Sequence, residues 1–520
     1  MPGRGSTLTR TWPDDEHHRA LLTARRDDLL VERLEPGDGT IDRAGSRTGE
    51  EATARWSQEH GPFRSYERTV TAAGGSLFEE TRFDLHVPSF GWLFVPLTRR
   101  RIVSAQRRDH SPWWAPSDHL DSRQVLVLGI IAALSMSSAF VNTLFTQTVN
   151  FAADDFEVGD WGVGVAGAVV RGGIVIALPA ALLADRIGRR RVINVVAWAA
   201  PIVTALGAVA PNFPSLVATQ TIGRPLGLAL DFLVGVVAAE EVPRNSRAYA
   251  VSVLALASGL GAGVAVVSLP LADLADNAWR LLYVIALIWL VPAVDALRRL
   301  PETTRFRRRH VIAPRLDRRR FAILGGVAFL ANIFVAPASF FQNRYLEDVR
   351  GYSALVIATF TLVTATPAAV GLMVGGRVAD AAGRRRLIAV ALPLGTVLVA
   401  ASFAVGGVAM WLAMTAGAVV GSIAFPAMSV YRTELFPTGN RSWAAALLTV
   451  LALAGGIGGL LAAGGLRDAG WSYGSIMGML SLAQLGVLAI VATTLPETAH
   501  RSLEELNPLD RAVAEPEPSS

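Results

Sequence analysis

The sequence predicts an all-α membrane protein with twelve transmembrane helices in two six-helix repeats. Three observations carry this. First, the 520 residues are 52% hydrophobic and only 18% charged, with a mean hydropathy of +0.39. A soluble chain of this size needs more charge to cover its surface. Second, between about residues 121 and 495 the apolar residues fall into successive runs. Each run approaches the roughly 20 residues that cross a bilayer. Third, short motifs recur at one fixed spacing along the same stretch.

The predicted spans are 124–147, 161–184, 191–210, 214–238, 248–270, 279–297, 320–342, 353–377, 387–405, 408–430, 443–464 and 473–494. Continuous apolar runs of this length favour helices, because lipid offers no partner to an unpaired backbone group. The organisation that follows is a polar N-terminal extension (1–120), a first six-helix half (121–300), a central loop (301–320), a second half (321–495) and a tail (496–520).

Arginine sets the orientation. The chain has no lysine and no cysteine, so all 48 basic side chains are arginines, and disulfide, thiolate and Cys-metal chemistry are excluded. With so much Ala, Gly and Val, this composition hints at a GC-rich bacterial genome. The pI near 10.0 does not indicate nucleic-acid binding, since the arginines sit in short links between spans. One link carries Arg186, Arg189, Arg190 and Arg191, another Arg384, Arg385 and Arg386, and the central link from Arg298 to Arg320 ten more. The alternate links are acidic, with Asp154, Asp155, Glu157 and Asp160 in the first and Asp273 and Asp276 in the fifth. The positive-inside rule then places both termini in the cytoplasm of a bacterial plasma membrane.

The repeat is internal and parallel. Asp185-x-x-Gly188-Arg189-Arg190 recurs as Asp380-x-x-Gly383-Arg384-Arg385, offset by 195 residues. Glu240-x-x-Pro243-x-x-x-Arg247 recurs as Glu434-x-x-Pro437-x-x-x-Arg441, offset by 194. Leu300-Pro301-Glu302-Thr303 recurs as Leu495-Pro496-Glu497-Thr498, again offset by 195. Duplicated six-helix units of this kind are a main transporter architecture, with the substrate site near the midplane between the halves.

These motifs resemble those of the major facilitator superfamily. Ala181 to Arg190 is similar to its loop motif, and Gly376 to Arg385 to the second copy. Gly223-Arg224, the Glu240–Arg247 segment, Trp279-Arg280 and the two Pro-Glu-Thr ends resemble its sugar-porter and metabolite:proton-symporter branches. The resemblance covers about 121–505. Two positions depart from it: Ala181 stands where Gly is usual, and Ala381 where Arg is common.

The resemblance implies alternating access, with Asp185, Gly188, Arg189, Glu240, Arg247, Asp380, Gly383, Arg384, Glu434 and Arg441 as gating residues. A carboxylate at Asp185 can pair with Arg189 and face the N-terminus of a neighbouring helix. It also implies that the first, fourth, seventh and tenth helices line the cavity, where Arg224 matches a position that pairs with an acid on the first helix. No such acid is present. The polar residues there include Ser138, Asn142, Thr143, Thr146 and Gln147.

Charges at bilayer depth are functional candidates by default. Three stand out: Arg171 in the second span, and Arg224 and Asp231 in the fourth. Asp231 lies seven residues beyond Arg224 on nearly the same helix face, and could replace the missing carboxylate as Arg224's partner and the protonation site. Two arginines against one aspartate suit an organic anion, unless Arg171 serves packing by bonding backbone carbonyls. Asn332, Gln342, Trp411, Ser422 and Tyr431 are further cavity candidates. Phe341-Gln342-Asn343 replaces the Gln-Gln pattern of sugar porters, which weakens a sugar assignment.

In the N-terminal extension, residues 1–60 read as flexible and charged, while 66–88, with Gly74-Gly75, read as a hairpin. Pro88 to Val95, followed by Arg99-Arg100-Arg101, suits an anionic leaflet. No catalytic constellation, metal site or cofactor motif is present in the sequence, so no enzyme is expected. The expected chain is a monomeric carrier in the lipid bilayer. It moves a small polar or anionic molecule, coupled to protons by symport. A proton-antiporting exporter of drugs or metabolites and a non-transporting membrane sensor stay open.

Overall fold

The computed structural model describes residues 6–35, 52–85, 87, 90–104, 112, 114–116, 118–243, 246–302, 316–436 and 441–498. The chain resolves into two compact units. One comprises Met1–Ser135, Leu233–Ala257 and Val291–Arg307; the other comprises Met136–Phe232, Ser258–Leu290 and Arg308–Ser520.

The first unit begins with a folded module. Its strands are β1 (Ser6–Pro13), β2 (Val31–Leu34), β3 (Ala52–His60), β4 (Phe63–Ala73) and β5 (Ser76–Leu85), with helices α1 (Glu16–Thr23) and α2 (Gly91–Val103). They form one antiparallel sheet in the order β1-β5-β4-β3-β2. The β4–β5 hairpin turns on Gly74 and Gly75, at φ +56° and +75°. Two successive positive φ values define the tight hairpin turn that glycine favours. The predicted hairpin is therefore present.

The expectation that residues 1–60 are flexible is corrected: β1, α1, β2 and β3 lie within them. Residues 36–51 lie outside the described ones. The charges that suggested a solvated segment are instead buried and paired. Arg68 Nη2 donates to Glu32 Oε2 at 2.6 Å and Arg68 Nε to Glu32 Oε1 at 2.7 Å. The Tyr66 hydroxyl donates to the same carboxylate at 2.7 Å, and the Arg26 backbone N–H at 2.8 Å. Arg26 in turn pairs with Asp28 and donates to the carbonyls of Arg101 and Ile102 at the end of α2. The Arg68 guanidinium stacks over Trp56, 4.1 Å from the ring centroid.

The remaining helices are α3 (Ser122–Asp155), α4 (Asp160–Gly172), α5 (Ala177–Ile187), α6 (Arg189–Ala205), α7 (Phe213–Glu241), α8 (Arg247–Val267), α9 (Trp279–Ile285) and α10 (Leu290–Arg299). They continue as α11 (Arg318–Asp348), α12 (Ala354–Ala365), α13 (Ala368–Ala382), α14 (Arg384–Ser402), α15 (Gly407–Glu434), α16 (Arg441–Asp468), α17 (Tyr473–Ser481) and α18 (Ala483–Thr494). Among the described residues, eleven helices are long and apolar enough to cross a membrane. The remaining predicted span, 161–184, is a helical path from Asp160 to Ile187. It is broken by a 3₁₀ turn at Gly173–Ile176 between α4 and α5.

Small residues bring these helices together. A Cβ on Gly455 would lie 2.0 Å from the Phe329 carbonyl oxygen, and one on Gly459 2.2 Å from that of Ile333, so α16 rests directly on the α11 backbone. Gly395 of α14 meets Gly421 of α15 in the same way. In lipid, where hydrophobicity does not drive association, such close backbone packing does.

Burial alone would raise the Glu32 carboxyl, but the Arg68 charge and its hydrogen bonds hold it below the usual range. Its contribution is therefore present above the unfolded carboxylate range, near pH 4, and is lost only as pH falls through the lower folded value. Removing the arginine strands a buried carboxylate, at a cost of about 3–5 kcal/mol. Arg68→Ala is expected to abolish hydrogen-exchange protection across 52–85 at pH 7 while leaving the helix of 318–348 protected.

Candidate functional site

One glycine brings the second and fourth spans into contact. Immediately after Arg171 the sequence runs Gly172-Gly173, and α4 gives way to the 3₁₀ turn. A Cβ on Gly173 would lie 2.3 Å from the Thr221 carbonyl oxygen and 3.0 Å from the Pro225 ring. Pro225 therefore packs against the second span within a continuous α7. Arg171 stands two residues before this contact, and Arg224 three residues after Thr221. The two arginines therefore flank the same close contact between the second and fourth spans.

On the other flank of α7, Gly227 faces Val141 and Asn142 of α3. The Ser138 hydroxyl donates to the Gly227 carbonyl at 2.8 Å, and Asn142 Nδ2 donates to Ser138 at 3.3 Å. At about 100° per residue, Arg224 and Asp231 lie within about 20° of each other around the α7 axis. Asp231 is exposed and Arg224 half-buried.

Arg171 is 7% exposed. Its side chain reaches α16, where a Cβ on Gly456 would lie 3.5 Å from Nη1 and 3.0 Å from the Ala336 methyl of α11. The guanidinium thus lies against the packed contact between α16 and α11, between the second, seventh and eleventh spans. Its Nε, and the Nε and Nη1 of Arg224, are buried without a hydrogen-bond partner.

The expected Arg224–Asp231 pair is not formed. Seven residues are two helical turns, about 10.5 Å of rise, and the side chains stay apart. Nor does Arg171 bond backbone carbonyls of the described residues, as its packing reading supposed. Among the described residues, neither arginine has a carboxylate within ion-pair distance.

The other cavity candidates have mixed roles. Gln147 meets Asn343 of α11, whose Nδ2 donates to the Gln147 side chain at 2.9 Å and to its carbonyl at 3.0 Å. Asn332 donates back to the Ala328 carbonyl at 3.0 Å, and Gln342 donates to Thr361 at 3.1 Å. Trp411 meets Phe360 edge to face, Ser422 bonds the Ala368 carbonyl, and Tyr431 bonds the Pro496 carbonyl.

The repeated loop motif is mirrored in the backbone. Gly188 has φ +104° and ψ 142°, and Gly383 has φ +92° and ψ 135°. Each ends one helix and starts the next, with Arg189 opening α6 and Arg384 opening α14. These positive φ values favour glycine. Glu497 caps the second loop, a role the sequence did not reveal. Its carboxylate accepts from the backbone N–H of Arg384 at 3.0 Å and of Arg385 at 3.1 Å, where the dipole favours negative charge. Arg384 Nη1 also donates to the Thr498 hydroxyl at 3.0 Å. Glu240 is the penultimate residue of α7 and is half-buried. The side chains of Asp185, Arg247, Asp380, Glu434 and Arg441 lie outside the described ones.

The acidic links, read only as topology signals, join the halves. Arg344 of α11 pairs with Asp154 at 3.2 Å and with Asp160 at 2.6 Å, and also with Asp348 of its own helix at 3.4 Å. Arg467 of α16 reaches Asp160 at 3.7 Å. The Asp273 carboxylate accepts from the backbone N–H groups of Ala354 and Leu355 at the start of α12. Beneath these pairs, a Cβ on Gly164 would lie 3.3 Å from Gly464 Cα. The acidic end is thus closed across the halves by charge above and close packing below. The available signal was a set of acidic links facing arginines at the ends of the seventh and eleventh spans.

Arg344 holds this closure at its centre. In the cysteine-free chain, Ala168→Cys places a single thiol on α4 at a buried position. Adding Arg344→Gln is expected to raise its labelling by an impermeant maleimide by roughly fivefold or more, the range of a coupling lost between two states. Unchanged labelling would mean that packing alone closes this end.

The sequence and the architecture agree with known proteins. The family model for the Major Facilitator Superfamily matches residues 125–459. No curated protein matches the sequence. Among solved structures, the chain is similar to the inward-open xylose transporter XylE from E. coli, at 16% identity and a TM-score of 0.59, covering 74% of this chain and 98% of that one. It is similar to the nucleoside transporter NupG at 12% identity and a TM-score of 0.57, covering 71% and 100%. A bacterial homolog of the human lysosomal transporter Spinster matches at 19% identity and a TM-score of 0.53, covering 70% and 93%. At these identities the likeness to solved structures establishes the fold, and the family match over most of the chain establishes more: this membrane protein is a transporter of the Major Facilitator Superfamily.

Proposed function

We propose that the chain is a proton-coupled symporter of a small organic anion, seated in a bacterial plasma membrane with both termini cytoplasmic. One observation carries the substrate class. Two arginines at bilayer depth, Arg171 and Arg224, flank the contact of Gly173 with Thr221 and Pro225, with buried N–H groups unpartnered and no carboxylate in ion-pair range among the described residues. Unpaired charge at that depth is costly. A carboxylate or phosphate ester supplies both the countercharge and the acceptors, and guanidinium groups match such planar anions well. A mainly apolar drug would leave both charges unanswered, which disfavours the exporter reading.

Asp231 is the proposed proton carrier. It shares a helix face with Arg224, is exposed, and has no basic partner among the described residues. Gln147 and Asn142 line the adjoining helix, and closing of the acidic end by Arg344 supplies one of the two gates. The arginine-rich links support the orientation.

Proteoliposomes loaded with purified protein test this. Radiolabelled mono- and dicarboxylates and sugar phosphates are expected to enter, driven by an inward proton gradient, while neutral sugars are not. Arg171→Gln and Arg224→Gln are expected each to cut anion uptake by about tenfold or more, in line with loss of a charged hydrogen-bond partner. Asp231→Asn is expected to keep exchange of labelled for unlabelled anion but to lose gradient-driven accumulation. Uptake confined to neutral solutes, or gradient-driven accumulation surviving in Asp231→Asn, would overturn the respective part of the reading.

A further inference from the structure

The transport reading leaves one surface of the N-terminal module unused. Helix α2 has two contrasting sides. Thr98 and Ile102 are buried, with Ile102 packed among Leu29, Leu30, Phe63 and Phe83. The end of the helix is held by Arg26, which donates to the Arg101 and Ile102 carbonyls, by Arg10, which donates to the Val103 carbonyl, and by the Arg101–Asp28 ion pair at 2.8 Å. The helix is therefore fixed in orientation.

Its opposite side is open. Trp92 is 74% exposed and Leu93 42% exposed. Pro96, Arg99 and Arg100 are exposed as well. At 100° per residue these five positions fall within an arc of about 120°. No acidic residue occurs in α2. The open face thus joins a large aromatic and a leucine at the first turn to two cations at the last.

The module is also held close to the bilayer. Trp114 and Ala115 pack against the same apolar cluster as Ile102. His119 lies 3.5 Å from Asp27, and Leu120 is buried. The first membrane helix starts at Ser122. Seven residues from Ala115 to Ser122 span at most about 25 Å. A surface tethered this near to lipid meets headgroups before any soluble partner.

We propose that this face of α2 docks on anionic lipid headgroups of the leaflet at the arginine-rich end. Trp92 and Leu93 enter the interfacial layer, and Arg99 and Arg100 bind the headgroup phosphates. Indole rings favour that depth, and basic residues beside it add attraction to anionic lipid. The occupant follows from the charge of the face and from its tether, and the module becomes a reader of leaflet charge joined to the transporter.

The full chain in nanodiscs tests this. Leu93→Cys creates the sole thiol, which is labelled with the fluorophore NBD. In nanodiscs rich in phosphatidylglycerol, the expected result is blue-shifted emission quenched by doxyl-labelled lipid. In phosphatidylcholine alone, or with Arg99→Gln and Arg100→Gln together, quenching is expected to fall several-fold, at roughly fivefold in binding per arginine. Water-like emission in both lipids would overturn the proposal. So would quenching that ignores lipid charge and both arginines, or shielding from aqueous iodide without doxyl quenching, which would mark a protein-covered face.

Discussion

A guanidinium taken out of water needs a partner, and the way each buried arginine meets that need orders this molecule. Arg68 lies fully buried in the N-terminal sheet and is answered by Glu32, with the Trp56 ring against its face. Arg344, with its side chain 12% exposed, is answered by three aspartates, two of them from the other half of the bundle. Arg171, 7% exposed, is answered by none among the described residues. The same side chain is thus a structural staple, a closure and an open demand. A fully desolvated pair that is broken costs several kcal/mol, while an exposed one contributes little. The first arginine fixes its fold, the second is held by ion pairs that rearrangement could break, and the third has no carboxylate partner among the described residues.

The closure at Arg344 acts together with its surroundings. The ion pairs lie over a contact in which α4 and α16 meet glycine to glycine, at Gly164 and Gly464. Glycine packing has no side chain to unlock, so helices held that way can part and rejoin without rotamer rearrangement. The ion pairs add direction, since they form only when the acidic link of one half reaches the arginines of the other. A partly buried network that forms in one state and breaks in another biases a two-state equilibrium. At Gly188 and Gly383 the repeat shows the same backbone turn twice, within 12° in φ. Duplication therefore preserved this backbone turn even though Ala181 and Ala381 depart from the family pattern.

Much of the bundle was legible in the sequence because its signals are local. Hydropathy marks each span, arginine marks the links, and the 195-residue offset marks the repeat without reference to any contact. The N-terminal sheet was only half legible. The β4–β5 hairpin announced itself through Gly74-Gly75, but Arg26, Asp28 and Glu32 resemble the charges of a solvated segment. Only the arrival of Arg68 from another strand turns them into a core. The site shows the same division. Arg171, Arg224 and Asp231 stood out because charge is rare at that depth. Their pairing did not follow from spacing on one helix, since whether two side chains meet depends on rise and rotamer. Arg344 and Glu497 were missed because each acts on a helix far away in sequence.

The electrostatics of the proposed site also constrain the order of events. In the proposed cycle, an empty carrier that closes around Arg171 and Arg224 desolvates two positive charges, which an ionised Asp231 two turns away offsets only in part. An arriving monoanion neutralises much of the remainder, so closure becomes less costly with the anion than without it. If a proton then occupies Asp231, that offset disappears and the net charge of the site rises by one. The anion must now compensate both arginines, which strengthens its hold. Proton and anion therefore favour each other's binding, and by linkage the coupling is the same in either direction. Positive coupling of this sign is what the proposed symport requires and what antiport forbids, and in that proposal it comes from one carboxylate set two helical turns from an unpaired guanidinium.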